Sequence, residues 1–145
     1  MPEIILDFDP EQPDAPQFTN DTADLVYFLS WAFSQRYGAS HELSTAGLVM
    51  RTEFGINMQP VLTFADRNIE EPVDAEALER AWQDAAPLAE CSSRVAEALG
   101  SDNPRLVEAQ VEYPLLRQNV EELGRIASWA AGKGSRIRVT YLLDE

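Results

Sequence analysis

With 145 residues, 45% of them hydrophobic, the chain is long and apolar enough to fold as a single domain around one core. Its 25 acidic and 11 basic side chains give a formal net charge of -14, which repels phosphate backbones and anionic lipid and so argues against direct nucleic-acid binding and membrane association. A single cysteine excludes an internal disulfide, no apolar run approaches the roughly 20 residues of a membrane span, and the start of the chain lacks the basic region of a secretory signal, so a cytoplasmic location is expected.

Residues 3–8 predict a first strand, because apolar and other side chains alternate along them. Ile4, Leu6 and Phe8 share one face, and Asp7 lies on the opposite one. An acidic loop follows the strand. Prolines that cannot continue a central strand interrupt this loop at Pro10, Pro13 and Pro16.

A helix is predicted over residues 23–37, between a group of capping residues, Asn20, Asp21 and Thr22, and a terminating glycine, Gly38. Its core stripe consists of Leu25, Phe28, Leu29 and Ala32. Apolar side chains also lie outside that stripe, so the helix is apolar over much of its circumference. These additional side chains are Val26, Trp31 and Phe33, and we expect them to form an interface with a partner protein or within a homodimer. The alternative is an intramolecular cover, in which the helix lies between the sheet and the later helices.

Residues 44–64 contain a second alternating pattern, which predicts two strands. Every second residue from Leu48 to Phe54 falls in one row, so residues 48–54 are expected as the first strand. Residues 59–64 are expected as the second. A turn near Gly55 makes a hairpin the simplest connection between them.

Two long helical patterns follow, over residues 74–100 and 104–131. Asp74 is expected as the N-cap of the first, and Asn103 followed by proline marks the start of the second. Each pattern contains an internal proline, Pro87 or Pro114. Because a proline in a helix interior costs roughly 3 kcal/mol, we expect these two residues to divide the region into four helical segments.

Residues 136–143 predict a last strand, with Ile137, Val139 and Tyr141 on one face. Arg136 and Arg138 lie on the other face and belong to the one basic stretch of an otherwise acidic chain. Because arginine binds carboxylate and phosphate groups, these two residues are the candidate anion contacts.

The predicted order of elements is β-α-β-β-α-α-β. It indicates an α+β fold, a small and mostly antiparallel sheet with helices packed on one face. The first and last strands each present one apolar face, so both are expected to belong to the same sheet.

No catalytic constellation is recognisable around the single histidine, His41, or the single cysteine, Cys91, and no cofactor or metal motif is present in the sequence. A non-enzymatic function is therefore favoured. The charge favours an acidic protein-interaction module, such as an assembly factor, a dedicated chaperone or an inhibitor of the immunity type, which binds a basic or apolar partner surface. Two alternatives remain: a small enzyme or anion-binding domain that uses arginines and carboxylates, and a DNA mimic.

Overall fold

The chain forms the predicted α+β fold. The computed structural model describes residues 2–31 and 41–143, and within these ranges it contains six helices and one four-stranded sheet. The helices are α1 (Ala23–Trp31), α2 (Glu42–Thr52), α3 (Pro72–Arg80), α4 (Ala85–Leu99), α5 (Pro104–Glu112) and α6 (Leu116–Gly132). The strands are β1 (Glu3–Asp9), β2 (Phe64–Asp66), β3 (Trp82–Asp84) and β4 (Arg136–Leu142).

The last strand, β4, is the centre of the sheet. On one side it pairs with β1 along its whole length, in an antiparallel register that places Leu6 opposite Val139. On its other side β4 pairs with two short strands, with β2 in parallel and with β3 antiparallel. The prediction that the first and last strands share one sheet is confirmed. This arrangement leaves β1 at the edge of the sheet.

The sheet has one apolar and one polar face. Ile4, Ile137 and Val139 are buried on the apolar face, which α1 and α6 contact, and α4 packs in turn against α6. The acids and arginines of β1 and β4 lie on the polar face, because they alternate with these apolar residues. The polar face is therefore the side of the sheet on which charged groups can gather.

The helices after residue 71 form four segments, α3 to α6, as predicted, but the first division does not lie at Pro87, because the strand β3 separates α3 from α4. Pro87 lies in the first turn of α4, where a missing N–H costs no helical hydrogen bond, and Pro114 lies between α5 and α6. The predicted cap of α5 is also confirmed, because the side chain of Asn103 accepts hydrogen bonds from two amides of the first turn. The first segment, however, begins at Pro72, and Asp74 lies within its capping box.

The predicted hairpin over residues 44–64 is wrong, because residues 42–52 form the helix α2. His41 caps this helix by accepting a hydrogen bond from the amide of Leu43 through Nδ1, at 3.1 Å. Leu43, Ala46 and Val49 recur at helical spacing and are buried. The apolar residues of this segment fit both the alternation of a strand and the spacing of a helix, and the structure selects the helix.

The order of elements along the chain is corrected accordingly to β-α-α-β-α-β-α-α-α-β. The three-residue strands β2 and β3 were not predicted, and parallel β2 makes the sheet mixed, although mostly antiparallel. The first helix was predicted to residue 37. It is observed from Ala23 to Trp31, and its remainder lies outside the described residues. Among the described helices, none has the length and apolarity that crossing a bilayer requires.

Candidate functional site

The outer edge of β1 carries main-chain groups that point away from the sheet. The amide of Ile4 donates to Oγ1 of Thr22, at 2.9 Å, on the side away from β4. In an antiparallel pair, successive residues turn their N–H and C=O groups alternately toward and away from the partner strand. The N–H and C=O groups of Leu6 and Phe8 therefore point away from β4, as those of Ile4 do, whereas the N–H and C=O groups of Ile5 and Asp7 bond to β4.

The outward main-chain groups of β1 are not all used within the protein. Among residues 2–31 and 41–143, no hydrogen bond is formed by the N–H or C=O groups of Leu6 and Phe8. Such an edge is a template for another strand, unless loops or charges cover it. Two residues of β1 therefore offer donors and acceptors to a partner.

A groove of about 500 Å³ runs along this edge. One wall is β1 itself, and the other is the proline-rich loop that follows it. Phe18 of the loop and Ile126 of α6 provide apolar surface, and Gln12, Gln17 and Asn20 provide polar groups. A site of this volume, which combines apolar side chains with several polar groups, has the dimensions of known ligand sites.

The loop that forms the outer wall is anchored to α6. Both the amide and the hydroxyl of Thr19 donate to Oε2 of Glu122, at 3.0 and 2.6 Å, and the Glu122 side chain is buried. The side-chain amide of Asn119 donates to the carbonyl of Asp21 at 3.0 Å. Hydrogen bonds to a charged carboxylate are stronger than those between neutral groups. These bonds hold the loop against α6, so the fold itself fixes the outer wall of the groove.

The groove lies in the most acidic part of the molecule. Up to Trp31 the chain contains no Lys, Arg or His, whereas its acids are Glu3, Asp7, Asp9, Glu11, Asp14, Asp21 and Asp24. Within the described ranges, no ion pair is formed by Glu3, Glu11 or Asp14, and all three are exposed. The exposed carboxylates of this segment therefore favour a cationic partner near the groove.

The two predicted anion contacts lie on the polar face, where carboxylates of β1 already bind them. Arg138 donates through Nε to Oδ2 of Asp7, at 3.0 Å, and Arg136 donates to Asp9 at 2.6 Å. Arg67 brings a second guanidinium to the same oxygen of Asp7, at 2.6 Å. The guanidinium of Arg138 also lies 4.5 Å from the ring centroid of Trp82. This cluster ties β1, β4, β3 and the residue after β2 together.

The three predicted interface residues have different surroundings. Val26 is 1% exposed and packs in the core, so its side chain leaves no surface for a partner. Trp31 is 36% exposed and stacks on His41, with ring centroids 4.2 Å apart. Phe33 lies outside the described residues. The core surrounds α1 on more than one side, since α1 contacts α6, α2 and β1, and this intramolecular packing explains its wide apolar surface.

Cys91 is buried on α4, and its thiol donates to the carbonyl of Asn57 at 3.3 Å. Removal from water raises the pKa of the Cys91 thiol, because burial penalises the thiolate. A raised pKa in the folded state means that this group's contribution to stability is complete below the ordinary thiol pKa and declines as the pH rises above roughly 8.5.

We therefore expect iodoacetamide at about pH 8 to alkylate Cys91 much more slowly in the folded protein than in urea, because burial limits the access of the reagent and the raised pKa lowers the thiolate fraction. The matched control is Ser93→Cys in a Cys91→Ala background, which places a thiol on the exposed side of the same helix. Equal alkylation rates for the two folded proteins would contradict the burial of Cys91.

Comparisons with protein-family models, with curated proteins and with solved structures find no match for this chain. The sequence pattern identified Leu6 and Phe8 only as apolar residues of a strand, because the position of a strand within its sheet depends on distant parts of the chain. The prolines of the following loop are the one signal that could have indicated an edge, since proline within sheets is confined largely to edges.

Proposed function

We propose that this protein is an acidic interaction module, which binds a basic segment of a partner protein in the groove beside β1. The observation that carries the proposal is a coincidence at one groove: the outward main-chain groups of Leu6 and Phe8 and the acid Glu3 have no hydrogen-bonding or ion-pair partner among the described residues. Glu11 and Asp14 add two further exposed acids in the loop that forms the outer wall. An assembly factor, a dedicated chaperone and an inhibitor of the immunity type all act by covering such a segment. The partner supplies the cations that the first part of this chain lacks.

A second copy of the chain is a poorer occupant than a basic partner. Each copy carries a net charge of -14, and a contact at the β1 edge brings two acidic loops together. Like charges at a contact cost free energy and slow association, whereas opposite charges accelerate it. The homodimer therefore remains the less favoured form of the proposal.

The polar face supports the anion-binding alternative in one respect, because Arg67 and Arg138 converge on a single carboxylate oxygen. An external anion would have to displace Asp7, which already accepts from both guanidinium groups. The pairing of Asp7 and Asp9 with arginines likewise disfavours a DNA mimic built on β1, since both carboxylates are neutralised where phosphate charges would have to be imitated.

The proposal is tested with a short fluorescent peptide that alternates Arg and Val. We expect it to bind, and to bind more weakly at high salt, because screening weakens contacts between exposed charges. The triple variant Glu3→Gln, Glu11→Gln, Asp14→Asn should lower its affinity about tenfold, at 0.2–1 kcal/mol for each exposed charge.

The matched control neutralises three exposed glutamates on α4 and α5, at Glu97, Glu108 and Glu112, and changes the net charge by the same amount. Affinity should then remain close to that of the unaltered protein. An equal loss of affinity in the two triple variants would refute the groove as the site, and a lack of binding to the basic peptide would refute the proposed function.

A further inference from the structure

We infer that the groove takes its partner as an added β-strand, whose residues alternate between basic and apolar. This inference rests on the proposed function and specifies how the basic segment is held. Its main-chain hydrogen bonds are formed with Leu6 and Phe8, the residues of β1 whose N–H and C=O groups point away from β4. Strand addition of this kind derives affinity from the main chain and specificity from alternate side chains.

The extent of the added strand follows from the two ends of the edge. At the start of β1, Thr22 accepts the hydrogen bond of the Ile4 amide. After β1, Pro10 has no N–H to donate. Between them, Leu6 and Phe8 can pair with a segment of about five residues, at a rise of roughly 3.3 Å per residue.

The two faces of β1 determine why basic and apolar residues alternate in the added strand. Leu6 and Phe8 turn their side chains toward the helices, where they pack against the core and where Ile126 and Phe18 line the groove. Glu3, Asp7 and Asp9 alternate with them and lie on the polar face. Asp7 and Asp9 are paired with arginines there, whereas Glu3 forms no ion pair among the described residues. Neighbouring strands place their side chains in shared rows, so one row of the added strand meets apolar surface and the other lies on the polar face with Glu3.

The amides of the peptide distinguish strand addition from unspecific charge attraction. N-methylation removes a donor and crowds the strand on that side, so methylation of every second residue blocks pairing from one edge of the peptide only. If the added strand is antiparallel, the residue opposite Leu6 is apolar and directs its N–H toward β1. If it is parallel, the basic residues direct their N–H groups toward β1.

The experiment compares the Arg and Val peptide with two derivatives, N-methylated at all Val or at all Arg residues. We expect one derivative to lose about tenfold or more in affinity and the other to bind nearly as well as the parent, because each hydrogen bond contributes roughly 0.5–1.5 kcal/mol. Loss confined to the Val derivative marks an antiparallel strand, and loss confined to the Arg derivative marks a parallel one.

On the protein side, Leu6→Pro removes the outward N–H and leaves the β1–β4 ladder intact, since Leu6 does not donate to β4. Leu6→Ala keeps the N–H and is the control for the lost side chain. We expect Leu6→Pro to weaken binding more than Leu6→Ala does. If the parent peptide binds but both methylated peptides bind alike, strand addition is wrong and the basic-partner function stands, and if the parent does not bind, the function itself fails.

Discussion

Deletion of residues 136–145 should abolish cooperative folding. These residues include the whole of β4, the only strand that pairs with each of the other described strands. The deletion removes two fully buried apolar residues, Ile137 and Val139, and leaves β1 without the partner that bonds to Ile5 and Asp7. Unpaired, partly buried strands each lose several hydrogen bonds, so the loss exceeds the whole stability of 5–15 kcal/mol that is typical of a domain.

Urea unfolding followed by circular dichroism checks this expectation. The matched control is a chain that ends at Leu142, the last residue of β4, and it should unfold with nearly the midpoint of the full chain. A sharp transition with an unchanged midpoint in the chain that lacks residues 136–145 would contradict the central position of β4.

Asp7→Ala should destabilise the protein by about 2 kcal/mol, as expected for hydrogen bonds to a charged group. Oδ2 of Asp7 accepts from Arg67 at 2.6 Å and from Arg138 at 3.0 Å. The side chains of the three residues are between 18% and 31% exposed, so water replaces the lost carboxylate only in part. Two guanidinium groups then face each other without the anion between them.

Asp9→Ala on the same strand is the control, because the Asp9–Arg136 pair is about half exposed and joins the same two strands. Exposed ion pairs contribute about 0–1 kcal/mol. Guanidinium chloride screens charges, so urea is the suitable denaturant, and added salt should narrow the difference between the variants. Equal losses of stability in the two variants would contradict the larger contribution to stability that we assign to the contacts of Asp7 with Arg67 and Arg138.

The strands at the two ends of the chain were predictable, because each shows an alternation that matches one buried face. The start of α5 at Asn103 and the break between α5 and α6 at Pro114 were predictable for a similarly local reason, since prolines and capping residues act within a turn or two. The break between α3 and α4 was predicted at Pro87 and lies instead at β3. The buried face of α6 likewise follows helical spacing along the chain, with Leu116, Val120, Leu123, Ala127 and Ala130 all buried.

Where distant residues decide, the sequence was a poorer guide. Residues 42–52 fit both a strand and a helix pattern, and the burial of Leu43 against the rest of the core selects the helix. Strands as short as β2 and β3 carry too few residues for a periodic signal, and β4 holds both of them in place. The partners of Arg136 and Arg138 were missed for the same reason, because the register between β1 and β4 brings Asp9 and Asp7 to them.

The candidate site was only partly predictable. The acidic character of the loop and its prolines can be read from the sequence, and both contribute to the groove. The open edge cannot, since it requires knowledge that β1 is the outermost strand and that its even-numbered residues face outward. A strand edge is a property of the assembled sheet, which no local pattern encodes.

Hydrogen exchange of the β1 amides, measured by NMR with and without the Arg and Val peptide, tests the central claim most directly. The amides of Leu6 and Phe8 should exchange more slowly when the peptide is bound, because they then donate to it. Those of Ile5 and Asp7 already bond to β4 and should change little. Protection that develops elsewhere, for instance around Trp31 and His41, with Leu6 and Phe8 unchanged in the bound state, would contradict the claim.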